Sequence, residues 1–360
     1  MDYPEFISPM ISELPVEGVI TCTSPSNIAL VKYWGKRPVQ LPENTSISFT
    51  LDGCKTTTSL TYKRRDTIAE DFDFELFFEG KLKPDFRPKI KNFFRRIEEY
   101  LPFLKQYTFT IETSNTFPHS SGIASSASGM SALAFCLMQL EKKIHPKITN
   151  EVFIKKTSFL ARLGSGSACR SLEGPITVWG EHNDIEGSND AFAIKFPYEI
   201  HSNFEDYQDT ILLIDKGEKQ VSSTVGHDLM HGHPFAAKRF EQASENSIKL
   251  KEILTSGDLD AFIEVVESEA LTLHAMMMTS LPYFILMKPN TLSVINKVWE
   301  YRKNTGSKLC FTLDAGANVH LLFPYSEKEK VLEFINSKLV AYCQNGQYIC
   351  DKIGLGAKLL

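Results

Sequence analysis

The chain has 360 residues, 42% of them hydrophobic and 23% charged, with a formal net charge of −5. That balance lacks the basic field expected of a nucleic-acid-binding protein, and no apolar run reaches the roughly 18 residues a membrane-spanning helix needs. The length exceeds one ordinary core and favours two lobes. At the start, MDYPEFISPM carries acids and Pro where a secretion signal needs a basic start and an apolar core. The seven Cys form no CxxC pair, so they read as reduced residues of a cytoplasmic protein, with no hint of a structural metal.

In chain order, Gly18–Thr23 and Thr45–Leu51 read as strands around a loop at Lys36–Glu43 that Pro and charge interrupt. Thr56–Tyr62 and Ile68–Phe78 suggest further strands, and Lys89–Leu101 is helical with mixed charge outside. Tyr107–Glu112 alternates apolar and polar side chains with the period of a half-buried strand. Helices follow over 129–142 and Asn150–Arg162, then strands at Ile176–Gly180 and Ala191–Lys195. Pro, His, Asn and Asp accumulate over 195–209 and mark a boundary between lobes. Beyond it come a strand at Thr210–Ile214 and helices at Pro234–Leu254, Leu259–Met278 and Thr291–Arg302. Strands at Lys308–Leu313 and Val319–Phe323 and a helix at Glu327–Leu339 complete the reading, which is α+β.

Four clusters carry candidate chemistry. Between the strand at Tyr107–Glu112 and the helix that follows lies P-H-S-S-G-I-A-S-S-A-S-G, Pro118–Gly129. A Gly/Ser run opening a helix offers backbone N–H groups and hydroxyls beside the positive end of the helix dipole, which suits phosphate. No Gly-Lys-Ser/Thr follows, so it is not a Walker loop. Ser24–Arg37 sets Asn27, Lys32, Tyr33, Trp34, Lys36 and Arg37 close together after a strand; alone it reads equally as a polar loop. Leu163–Ser171 (L-G-S-G-S-A-C-R-S) joins Gly and Ser to an Arg fork suited to phosphate or carboxylate, or else makes a helix-entry turn. Thr312–Asn318 (T-L-D-A-G-A-N) places an acid at a strand end, where turn chemistry alone also favours Asp.

Taken together, N-I-A-x-x-K-Y-W-G-K-R, P-x-x-x-G-x-A-S-S-A-x-G, G-S-G-S-A-C-R-S and D-A-G-x-N resemble, in order, the motifs of the diphosphomevalonate decarboxylases of the GHMP kinase superfamily. The resemblance runs from Thr21 to Phe323 and includes V-S-S-T-x-G at Val221–Gly226 and an F-H-A-like segment at Leu273–Ala275. Departures are Pro38 for an acid, Ser128 for Ala, His227 for Met and Ala317 for Pro.

The resemblance implies a two-lobed GHMP kinase fold. An ATP-binding, catalytic N-terminal domain, ribosomal protein S5 domain 2-like, would span 1–200, and a ferredoxin-like C-terminal domain 201–360. It implies ATP-dependent decarboxylation of 5-diphosphomevalonate to isopentenyl diphosphate in isoprenoid biosynthesis, with ATP and Mg2+, in a cytoplasmic homodimer without nucleic-acid or membrane partners. By the same resemblance, Asp314, Lys32 and Arg170 would be catalytic. Asn27, Tyr33, Lys36, Ser165, Gly166, Ser167 and Arg170 would bind substrate, with Arg170 and Asn27 on its carboxylate and the others on its diphosphate. Ser120, Ser121, Gly122, Ala124, Ser125 and Ser126 would bind ATP, while the ligands of Mg2+ stay unassigned. Cys169 reads as a packing residue, His231 and His233 as an incidental pair, and Asp260, Glu264 and Glu267 as a solvated helix face. Alternatives are a 5-phosphomevalonate decarboxylase, a small-molecule kinase such as a mevalonate 3-kinase, and a non-catalytic ATP-binding protein.

Overall fold

A computed structural model describes residues 3–9, 13–118, 123–217 and 223–360. The first sheet is built on a long antiparallel pair, β1 (Glu17–Ala29) and β2 (Ser46–Arg64), running in register from Glu17 opposite Lys63 to Pro25 opposite Lys55. The register then shifts, so that Asn27 faces Thr50. Pro25, with no N–H to give the ladder, sits where the shift occurs, as expected of a bulge. β2 joins into one strand the two expected at Thr45–Leu51 and Thr56–Tyr62. The Asp351 carboxylate takes the N–H groups of Asp52, Gly53 and Cys54 at 3.1, 2.7 and 2.6 Å and replaces the partners a turn would have supplied.

Beyond β2, β3 (Asp73–Phe78) lies parallel to β4 (Tyr107–Asn115), which is antiparallel to β2. Helices α1 (Arg87–Ile97), α2 (Ser125–Ile144) and α3 (Asn150–Gly164) share one buried core with this sheet. Much of the abundant Phe goes here: the Phe94 ring lies 5.5, 5.2 and 5.9 Å from those of Phe72, Phe74 and Phe109. α2 begins at Ser125, four residues before the expected 129, which puts Ser125 and Ser126 in its first turn. Ile68–Asp71 does not join the strand expected there; β3 starts at Asp73. β5 (Ile176–Trp179), buried throughout, pairs with the first residues of β2.

The second sheet is antiparallel, with β6 (Gln208–Leu212) flanked by β8 (Val319–Phe323) and β9 (Tyr348–Lys352), and β7 (Cys310–Thr312) outside β8. Helices α4 (Ala236–Ser256), α5 (Leu259–Met278) and α6 (Pro289–Thr305) complete this lobe. Asp258 caps α5 by accepting the N–H groups of Asp260 and Ala261 at 3.1 and 3.0 Å. Glu267 is not part of a solvated face. It is buried and takes Arg302 Nη1 at 2.6 Å and Trp299 Nε1 at 2.8 Å, since a neighbouring helix covers that side.

One apolar cluster runs through both lobes, joining Phe49 and Ile176 to Tyr207, Leu250 and Phe262. The end of the chain adds a second tie. After β9, β10 (Lys358–Leu359) returns to the first sheet and pairs with Cys22 and Thr23 of β1. Neither β9 nor β10 was expected from the sequence. No described helix is long and apolar enough to cross a membrane.

Asp351 thus anchors β9 to β2. Asp351→Ala leaves three N–H groups without their charged acceptor, and urea unfolding is expected to show a loss of about 2–3 kcal/mol. A loss within experimental error would show that solvent satisfies these groups.

Candidate active site

Lys32 lies just beyond the end of β1, and its side chain is only 2% exposed. An ammonium ion in such a place needs a counter-charge. Asp314, two residues beyond β7 in the other lobe, supplies it with Oδ1 at 3.2 Å from Nζ. Burial draws the Lys32 pKa below its usual value, opposed first by Asp314. Asp314 keeps 27% side-chain exposure, so it lies at the boundary between the buried cation and an open cavity. Its carbonyl is held by His274 Nε2 at 3.1 Å.

That cavity, about 640 Å3, is lined by Lys32, Tyr33, Lys36, Ser165, Gly166, Ser167, Arg170 and Asp314, and also by Ala124, Ser125 and Ser126 at the start of α2. Four clusters far apart in sequence therefore share one space. Asn27 is buried beside it, donating to Ser171 Oγ at 2.7 Å and the Ser167 carbonyl at 3.2 Å, while its Oδ1 has no protein partner. Arg170, also buried, gives one N–H to Ser46 Oγ and leaves Nε without a protein partner. Unpaired buried groups of this kind are costly and mark a place built for a ligand. Ser120, Ser121 and Gly122 lie outside the described residues, as does part of Val221–Gly226.

Local sequence explains the shape. Gly166 is required because a Cβ there would come within 2.8 Å of the Tyr33 hydroxyl. Ala124 adopts φ 44°, a left-handed turn that swings the chain into α2. Cys169 donates Sγ–H to the Gly166 carbonyl at 3.0 Å, and burial pushes its thiol up to about 12, so it is inert packing. His233 Nε2 meets the Met276 carbonyl at 3.2 Å. Among the described residues no three His, Cys, Asp or Glu cluster as a metal site. The donors at the start of α2 available to Mg2+ are serine hydroxyls, a set that suits an ion held chiefly by nucleotide phosphates.

Sequence reading missed the other wall. Leu76, Phe78, Phe86, Ile90, Ile111, Met130 and Leu133 line the same cavity and give it an apolar wall. Their pattern is indistinguishable from that of core residues. His227 also lines the cavity, with its ring 4.2 Å from Tyr33 and 4.7 Å from Trp34, and its Nδ1 accepts the Gly35 N–H at 3.0 Å. Burial, with Lys36 and Arg170 nearby, pushes it from 6.5 down to about 3.

Two family models match the chain. Residues 24–193 match the diphosphomevalonate decarboxylase-like N-terminal domain, and residues 210–354 the mevalonate 5-diphosphate decarboxylase C-terminal domain. The diphosphomevalonate decarboxylase of Debaryomyces hansenii is 30% identical over 341 residues, covering 88% of this chain and 82% of that protein. The solved mevalonate diphosphate decarboxylase of Staphylococcus aureus superposes with a TM-score of 0.81 at 27% identity, covering 96% of this chain and 98% of that one. A complex of MDDEF with MVAPP, AMPPCP and magnesium gives a TM-score of 0.81 at 26% identity, covering 96% and 99%.

A histidine held neutral in the fold makes stability depend on pH. Below 6.5 the unfolded chain gains a proton that folded His227 refuses down to about 3, so stability is lost as pH falls from neutral. At pH 5 that one site costs about 2 kcal/mol. His227→Met is expected to remove that share: its unfolding free energy, measured in urea at pH 7 and pH 5, should decline by about 2 kcal/mol less than wild type's. Equal declines would show that the ring titrates normally.

Proposed function

Because the chain belongs to the diphosphomevalonate decarboxylase family, we propose that it converts ATP and (R)-5-diphosphomevalonate to isopentenyl diphosphate, CO2, ADP and phosphate. The observation that carries this reading is the Lys32–Asp314 pair standing in one cavity with Arg170 and the first turn of α2. The Asp314 carboxylate accepts the proton of the substrate's tertiary 3-hydroxyl as that oxygen attacks the γ-phosphorus of ATP. The bond from that phosphorus to the bridging oxygen breaks, and ADP leaves. Lys32 keeps Asp314 ionised and offsets charge on the transferring phosphoryl group.

The C3–O bond then breaks with its electron pair passing to phosphate, and the C1–C2 pair becomes the C2=C3 double bond as CO2 departs. Arg170, with Asn27, holds the C1 carboxylate until that bond breaks. Tyr33, Lys36, Ser165, Gly166 and Ser167 take the 5-diphosphate. Ala124, Ser125 and Ser126, with Ser120, Ser121 and Gly122, take the ATP phosphates, and the apolar wall takes the base. Mg2+, when bound, would neutralise phosphate charge, with the serine hydroxyls at the start of α2 available to hold it. In this assignment residues 1–200 form the ATP-binding domain and 201–360 the C-terminal domain, and the enzyme works as a cytoplasmic homodimer.

With ATP and Mg2+, CO2 release from 5-diphosphomevalonate is expected to far exceed that from 5-phosphomevalonate, with CO2, ADP and phosphate formed in equal amounts. Comparable kcat/KM on the two substrates would favour the monophosphate enzyme, and ADP without CO2 would favour a kinase.

Asp314→Asn keeps the shape and removes the proton acceptor. Its kcat should fall by about 10²–10⁴-fold with ATP affinity retained. Lys32→Met should do similar damage, and the double variant should cost far less than the product of the singles. A folded Asp314→Asn enzyme that retains wild-type kcat would reduce Asp314 to a strand-end turn.

A further inference from the structure

Lys32 belongs to the first lobe, but most of what holds its backbone belongs to the second. Its N–H donates to Glu269 Oε2 at 2.8 Å, and its carbonyl accepts from Arg239 Nη2 at 3.2 Å and Asn44 Nδ2 at 3.0 Å. Arg239 on α4 and Glu269 on α5 form a forked pair, Nη1 to Oε1 at 2.8 Å and Nη2 to Oε2 at 2.5 Å. Asn246 adds a bond to Oε1 at 2.7 Å, and both charged side chains are 0% exposed. A buried ion pair is a weak source of net stability, and apolar residues of similar volume often replace one without loss. Apolar residues cannot bond both polar groups of one backbone residue.

We infer that Arg239 and Glu269 are positioning residues for Lys32, gripping its N–H and its C=O so that the ammonium group meets Asp314 at one fixed separation. Five residues beyond Glu269, His274 holds the Asp314 carbonyl, so α5 sets the place of both partners. The clamp also acts through charge. Around the Lys32 ammonium, Asp314 and Glu269 favour the charged form, while burial and Arg170 oppose it. His274 and the buried Asp209 are the other titratable groups that sense its charge.

The test uses the full chain and the double variant Arg239→Met/Glu269→Leu, which leaves no unpaired buried charge. kcat for CO2 release is expected to fall by about 10²-fold, the scale of an ångström of misplacement. KM for ATP should stay unchanged, and the alkaline limb of the kcat–pH profile should move to lower pH. A folded double variant with wild-type kcat and an unmoved limb overturns the inference. If the double variant does not fold, Arg239→Lys, which keeps the charge and loses the fork, decides in the same way. The inference rests on the reaction proposed above, and the two fail separately. If wild-type protein releases no CO2, the reaction is wrong, and NMR titration of the Lys32 ammonium then judges the clamp. A lower midpoint in the variant supports it, and an unchanged midpoint overturns it.

Discussion

A lysine charge with almost no contact with water dictates much of this structure. Lys32 leaves β1 into a dry interior, and among the described residues no carboxylate of its own lobe bonds its ammonium; Asp314 comes from the other side, at 3.2 Å. The two lobes must therefore meet at a fixed distance. The apolar cluster from Phe49 to Phe262 and the three N–H bonds of Asp351 fix it. At the effective dielectric of such sites, an attraction worth several kcal/mol at contact falls off quickly with separation, so a loose interface would leave a buried cation unpaired.

The cavity between the lobes is divided by chemistry. At one side stand cations and hydroxyls: Lys36, Arg170, Ser167 and the first turn of α2. At the other stand aliphatic and aromatic side chains from β3, α1 and α2. His227 adds an uncharged ring to the cavity wall, stacked against Tyr33 and Trp34.

Much of this was legible in the sequence, and the gaps have physical causes. α5 and β8 were read with their observed bounds because each is an apolar run with a marked edge, Asp258 before α5 and Pro324 after β8. The four clusters were legible because they occur together and in the order of one family's motifs, although three of them alone also read as turns or loops. The strands at Thr45–Leu51 and Thr56–Tyr62 were read as separate, and nothing local shows that a carboxylate 298 residues away from Gly53 takes the N–H groups between them. Glu269 and Arg239 look like any charges on an amphipathic helix until the fold buries them together. The apolar wall was hidden for the opposite reason, since cavity lining and core use the same residues. β9 and β10 are short and lie at the edges of their sheets, so period and length gave little to read.

The return of β10 to the first sheet has a consequence for biosynthesis. A polypeptide emerges from the ribosome from its N-terminus, and domains generally fold as they appear. Here the strand beside Cys22 and Thr23 is made only after Lys358 and Leu359 are joined. The edge of β1 at Cys22 and Thr23 therefore waits unpaired for more than three hundred further residues of synthesis, a time in which a chaperone or a second nascent chain can reach that edge first.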